Sequence, residues 1–383
     1  MPILFLFFAF FIYVSWYHFS IAALLAWIPL YTILNSGWSN TKIISGTYVL
    51  FAIYNLVVTF WLIEFDAYKG ATAIVINSFL MELVVVLSLF IGKNNRFTKN
   101  FAFIVSWLAF EYIHHIWFFT WPWLTLGNTF SIQPIFVQWY KFTGVLGGSV
   151  WILVANLCFY KQLENKRVNI ITTVVVLLPI AISTTLYFDN DSLATRANRI
   201  VVAVMLTNFS STEYVRDSTK LALAKQELLA KAPKNMDYVL LPETYFREDI
   251  WTDRFESNNL YQSLKQLSKT LKTKIISGFF VNSEDENGIY QFGGGLIKFN
   301  QFNTAIQIDT SNSIPIKFKK VFIPFQEHMP RYLSWFSNEV DTNFKLLHDN
   351  KDYFNLNQEK IFISICYESV NGFFLVIVGQ TRT

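Results

Sequence analysis

Seven apolar stretches crowd the first 188 residues, at 3–17, 20–34, 44–63, 72–91, 101–119, 138–160 and 168–188. A helix crossing a bilayer needs roughly 20 apolar residues. The pattern therefore predicts a multi-pass membrane domain over 1–188, followed by a separate domain over 189–383. The first two stretches are the shortest, and only Tyr17, His18 and Phe19 part them. A secretory signal peptide is the competing reading of residues 1–17. It lacks support, because no charged segment precedes the apolar run and no small-x-small cleavage site follows it. The chain is 53% apolar and 18% aromatic, far from the make-up of an ordinary soluble protein.

Charge separates the two halves. Residues 1–188 hold 9 Lys and Arg against 5 Asp and Glu, whereas residues 189–383 hold 22 of each. The excess of +4 thus belongs to the first half and forms no basic patch, which argues against nucleic acid as a partner. Loops after the second, fourth and sixth stretches carry Lys42, then Lys93, Arg96 and Lys99, then Lys161, Lys166 and Arg167. The other loops carry only Lys69, with Lys141 at the start of the sixth stretch. Basic loops stay in the cytoplasm. The N-terminus is expected inside, and residues 189–383 in the periplasm or an equivalent space.

That placement makes KIFISICYES (360–369) informative. Ile361–Cys366 reads as a buried strand ending in a thiol. Outside the cytoplasm thiols are usually paired, yet the other cysteine, Cys158, lies within the sixth stretch near its cytoplasmic end. Cys366 is then expected to be free. Upstream, 200–206 reads as a strand, 212–232 as a helix, and 238–241 as a strand ending at Pro242 and Glu243. An amphipathic helix over 258–272 carries Leu260, Leu264, Leu267 and Leu271, and strands follow at 274–280 and 290–299. Gly293, Gly294 and Gly295 read as a bulge, since no Lys-Ser/Thr follows to make a phosphate loop. The alternation suggests an α/β sandwich.

Glu243, Lys319 and Cys366 all lie at strand boundaries, Lys319 ahead of a strand-like VFIPF. Such boundaries are where open α/β sheets build sites. Each residue has an ordinary explanation: a helix cap, a solvated Lys319–Lys320 pair, an inert core cysteine. Together they form a chemical set. A carboxylate takes a thiol proton, and an ammonium favours the thiolate and steadies an oxyanion. His114 and His115 lie in a hydrophobic stretch and read as structural; no metal-spaced cluster is present, and no cofactor is expected.

LLPET (240–244), K-x-x-F-I-P-F-x-E (319–327) and ICYES (365–369), in that order, resemble the nitrilase-type domain of apolipoprotein N-acyltransferases. Phe119-Thr120-Trp121-Pro122-Trp123, Leu126-Gly127-Asn128 and the run 138–156 resemble that family's membrane half. The resemblance covers nearly the whole chain. It implies a multi-pass α-helical membrane bundle plus an α/β nitrilase-like sandwich of α-β-β-α type, in a bacterial inner membrane with the catalytic domain periplasmic. It further implies Glu243 as general base, Lys319 as oxyanion stabiliser and Cys366 as nucleophile. Lys320 is one position out of register with the family's lysine. Glu327 is implied to support Lys319, and Tyr367 and Glu368 to shape the pocket. A phospholipid would donate an acyl chain, held as a thioester, to the α-amine of a diacylglyceryl-cysteine apolipoprotein. Trp121 and Trp123 read as interface anchors, with a lipid entry path as the other role open to them.

The chain departs from the family pattern in two places. Leu206-Thr207-Asn208 replaces a Gln-x-Asn segment, with Tyr214 a loose match for a following aromatic. The sequence also ends 17 residues after Cys366, where the family continues. Only Phe373–Val378 could add a strand, so the sandwich is expected to be incomplete at its C-terminus and turnover poor. Two rival functions share the same features: a membrane-anchored nitrilase-like amidase, and an inactive relic that binds lipid or a partner.

Overall fold

A bilayer core has no water to pair with exposed peptide groups, so a crossing segment must close its hydrogen bonds within itself. Each of the seven stretches is helical over most of its described residues in the computed structural model. The structure describes residues 1–93, 95–117, 120–190, 200–206, 215–233, 235–288, 290–292, 297–323, 327, 344–345, 353–356 and 359–370. Phe119, Asn208, Tyr214, the triple glycine and residues 373–378 lie outside the described residues. The chain divides into two units, Met1–Thr195 and Arg196–Thr383.

In the first unit the helices are α1 (Pro2–Tyr17), α2 (Ala23–Ala26), α3 (Ile28–Leu34), α4 (Asn40–Thr59), α5 (Trp61–Phe65), α6 (Ala67–Gly92), α7 (Arg96–Ile116), α8 (Tyr140–Asn165) and α9 (Ile170–Asn190). Among the described residues four are long and apolar enough to cross a membrane: α4, α6, α8 and Ile170–Phe188 of α9. Pro2–Tyr17 and Ser20–Leu34 are apolar but shorter. The second stretch is a broken rod, a 3-10 turn followed by α2 and α3, with the break at Trp27 and Pro29 in the first turn of α3. A break frees backbone groups that lipid cannot satisfy. Buried Asn156 of α8 supplies the partners, accepting from Trp27 N at 2.8 Å and donating to Ala23 O at 2.8 Å. Trp27, Tyr31, Phe51, Tyr54, Phe103 and Trp107 fill the core around this point.

The second unit is built on a mixed sheet. Its strands are β1 (Val202–Val204), β2 (Tyr238–Leu240), β3 (Ile250–Trp251), β4 (Lys274–Glu284), β5 (Tyr290–Phe292), β6 (Ile297–Ile308) and β7 (Ile316–Phe318). The order is β1-β2-β4-β6-β5, with β3 on β4 and β7 on β6. β1, β2 and β4 run parallel, and β6 is antiparallel to β4. Helices α10 (Asp217–Lys231) and α11 (Asn259–Leu271) connect the parallel strands. Side chains alternate across a strand. Val239, Ile275, Phe279 and Ile306 thus meet Leu228 of α10 and Leu260, Leu264 and Leu267 of α11 on one face. Tyr238, Ile276 and Ala305 face the other way, onto Phe354, Ile361, Ile363 and Ile365. That second layer is the antiparallel pair β8 (Tyr353–Leu356) and β9 (Glu359–Phe362) with the segment after it. The layers are helix, sheet, sheet: a membrane helical bundle is joined to an α/β domain.

Three expectations need correction. Residues 290–299 are two antiparallel strands, β5 and β6, with Tyr290 opposite Phe299. The strand beside Lys319 is β7 on its N-terminal side, and Val321–Ile323 form none; β7 can pair with β6 because Thr304–Ile306 offer it a free edge. The strand read as Ile361–Cys366 stops at Phe362, where the pairing with Tyr353 ends.

Candidate active site

Two chain reversals and the end of β7 bring the chemical groups together. Glu243 follows β2 in a turn whose next residue, Thr244, has φ 49°. Cys366 opens a 3-10 turn, Cys366–Val370, and itself has φ 45°. A left-handed conformation costs a side-chain-bearing residue about 1–2 kcal/mol, so surrounding contacts must hold it. Gly278 of β4 lies beneath the first turn. A Cβ there would stand 2.9 Å from the Glu243 Cα, so glycine lets the strand and the turn approach.

Lys319 links the segments. Its side chain is fully buried, and its Nζ lies 2.6 Å from Glu327 Oε1 and 3.4 Å from Glu243 Oε1. Glu327 is fixed in turn: its Oε2 accepts from Ile323 N at 2.8 Å, and its carbonyl accepts from Phe344 N at 2.8 Å. Sequence reasoning missed Asn303 of β6. Its Nδ2 donates to Glu243 Oε1 at 2.7 Å, and its carbonyl accepts from Lys319 N at 2.8 Å. One asparagine thus sets both the acid and the lysine. No motif marks it, and only its place on the central strand gives it this reach.

The charges of Glu243 and Lys319 act on the Cys366 thiol, while the residue stays exposed. Loss of hydration, then the Glu243 charge, raise its pKa to about 11 against the pull of Lys319. Burial by itself would lower the Lys319 pKa, but Glu243, Glu327 and Cys366 reverse the sign and raise it. The resting site therefore holds a neutral thiol, a carboxylate whose charge acts on it, and a fixed cation. Sulfur attack requires a base, and Glu243 is in position to be one.

The structure brings Glu243, Lys319, Glu327 and Cys366 into one cluster. Glu368 takes a different place. It is fully buried and ion-paired with Lys317, another residue missed in the sequence. The two-residue spacing was the available signal, since Lys317 in β7 and Lys319 just past its end are both fully buried. Lys319 is accordingly not half of a solvated pair. Lys320 gives its backbone N–H to Glu368. Tyr367 is buried at 2% exposure beside Cys366 in the chain. His115 contacts Thr125 Oγ1 at 3.1 Å within the membrane unit.

Replacing Glu243 by glutamine removes a charge that opposes the thiolate, so the Cys366 pKa should fall. We expect alkylation of Cys366 at pH 8 to quicken, by about tenfold per unit of pKa. Any reaction that uses Glu243 as its base should slow at the same time by about 10²–10⁴-fold. Iodoacetamide labelling read by peptide mapping checks the first effect. Slower labelling would show that Glu243 does not oppose the thiolate.

Comparison with known proteins agrees with the residues. The family model described as the apolipoprotein N-acyltransferase N-terminal domain matches residues 4–158. An apolipoprotein N-acyltransferase of Borreliella burgdorferi is 23% identical over 376 residues, covering 91% of this chain and 68% of that protein. Another, of Chlorobaculum tepidum, is 22% identical over 341 residues, covering 81% and 62%. A third, of Rickettsia bellii, is 30% identical over 108 residues, covering 27% and 21%. The chain thus spans about two thirds of the Borreliella relative and less of the others. With one match confined to the helical unit and another reaching across both units, the chain is similar to apolipoprotein N-acyltransferases.

Proposed function

We propose that the protein acylates the N-terminal amine of membrane lipoproteins, with Cys366 as the acyl carrier and a phospholipid as the donor. Glu243 takes the thiol proton as the sulfur attacks the carbonyl carbon of a phospholipid ester. The oxyanion that forms is drawn to the Lys319 ammonium, which Glu327 holds in place. The carbon–oxygen bond breaks, the departing glycerol oxygen takes the proton from Glu243, and a lysophospholipid leaves. In the second half the free α-amine of a diacylglyceryl cysteine attacks the thioester carbonyl. Glu243 accepts the proton from the nitrogen, the carbon–sulfur bond breaks, and the thiolate is reprotonated. The products are an amide and the restored thiol.

The observation that carries this reading is one buried lysine between two carboxylates, with the charges of that lysine and of Glu243 acting on the Cys366 thiol. The membrane helices support lipid substrates, because moving an acyl chain into water costs about 0.8 kcal/mol per CH₂. A nitrilase-type sandwich, an inner-membrane location and a periplasmic catalytic unit belong to the same proposal.

The products test it. The protein in detergent micelles is mixed with a chain-labelled phospholipid and a synthetic diacylglyceryl-cysteine peptide. We expect the label on the peptide amine, in an amide that resists hydroxylamine. Label recovered only as free fatty acid would make the protein a hydrolase and overturn the proposal.

A further inference from the structure

Glu368 is engaged from both sides of the site. Its Oε2 pairs with Lys317 Nζ and accepts from Ile365 N at 2.8 Å, while its Oε1 accepts from Lys320 N at 2.6 Å. One buried carboxylate thus grips the residue before the nucleophile and the residue after the site lysine. Glu368 N donates to Ile365 O at 3.1 Å, and Ser369 Oγ donates to Cys366 O at 2.7 Å, which tightens the turn holding Cys366 at positive φ. Lys317 lies in β7, paired with Ala305 of the central sheet. Glu368 is thereby fastened to the framework and not only to its own loop.

A buried carboxylate needs a cation, and a buried pair is by itself weak evidence for stability. Its place bears more on what it does. We infer that Lys317 is a positioning residue whose buried pair with Glu368 fixes the Cys366 turn against the Lys319 segment. The inference rests on the acyl-transfer reading for its purpose, although the geometry stands apart from it. Lys319 has its own acids, Glu243 and Glu327, so the two lysines do not substitute for each other. Without Lys317 the Glu368 charge, two residues from the sulfur, would stand uncompensated and oppose thiolate formation, and the turn would lose its tie to β7.

The test uses the full chain in micelles with Lys317→Met and the charge-neutral double variant Lys317→Met/Glu368→Gln. The groups facing Cys366, namely Glu243, Lys319 and Glu327, stay unchanged. Lys317→Met should slow iodoacetamide alkylation of Cys366 at pH 9 about tenfold, as one unit of pKa would. It should lower kcat about 10²-fold, as displacing a reacting group by about 1 Å can, while the KM for phospholipid holds. The double variant removes both charges, so it serves if the single variant fails to fold. Its alkylation should return close to the wild-type rate, while its kcat stays at least about tenfold low because the tie to β7 is gone. Either variant, folded, with wild-type kcat and alkylation would overturn the inference. A wild-type protein that transfers no acyl group, with Lys317→Met still slowing alkylation, would refute the acyl-transfer reading and leave the positioning role standing.

Discussion

Cys366→Ala is expected to abolish acyl transfer, by about 10⁴-fold or more, the scale on which loss of a nucleophile is felt. The fold should survive. Cys366 is exposed, and its turn is held by contacts of Glu368 and Ser369 that do not involve the sulfur. Alanine at φ 45° pays the same conformational cost as cysteine. A thermal midpoint close to that of the wild type, together with loss of transfer, is the expected pair of results. The other cysteine, Cys158, lies in α8 in the membrane unit, so Cys158→Ala should leave transfer unchanged. Retention of transfer by Cys366→Ala would remove the sulfur from the mechanism.

Lys319→Met should act on both stability and rate. The lysine is fully buried against carboxylates that are 26% and 12% exposed. Breaking a buried pair from one side costs about 3–5 kcal/mol, and the partial exposure of the acids argues for the lower end. The variant also loses the cation for the oxyanion, at about 10²–10³-fold in kcat. Unfolding by denaturant and steady-state rates, taken on the same preparation, separate the two losses. A folded variant with more than a tenth of wild-type kcat would show that Lys319 only holds the acids apart.

The parts of this protein that the sequence made readable are those where one force dominates. Apolar runs marked the helices because lipid permits nothing else, and Leu260, Leu264 and Leu267 marked the buried face of α11 because each repeats the helical period. Where several weak terms compete, the reading slipped. VFIPF has strand-like residues, but β6 pairs with Ile316–Phe318 instead, and pairing partners cannot be read from propensity. Residues 290–299 looked continuous because Tyr290, Phe292, Ile297 and Phe299 of the two paired strands suit one strand equally well. At the site, Glu243, Lys319 and Cys366 stood out because each is a reactive group beside a strand. Asn303 and the Lys317–Glu368 pair did not, since their meaning depends on residues some 50 to 60 positions away. A reactive group can be recognised by its type, whereas a supporting group is recognised only by what it touches.

The central claim is that the sulfur of residue 366 carries an acyl chain. Intact-mass analysis after exposure to phospholipid, with no amine acceptor present, tests it most directly. The account predicts an added mass equal to one acyl group less a hydrogen, mapped to Cys366, released by neutral hydroxylamine and missing from Cys366→Ala. Folded wild-type protein that transfers acyl chains to an acceptor yet never gains that mass, or gains it at another residue, would contradict it.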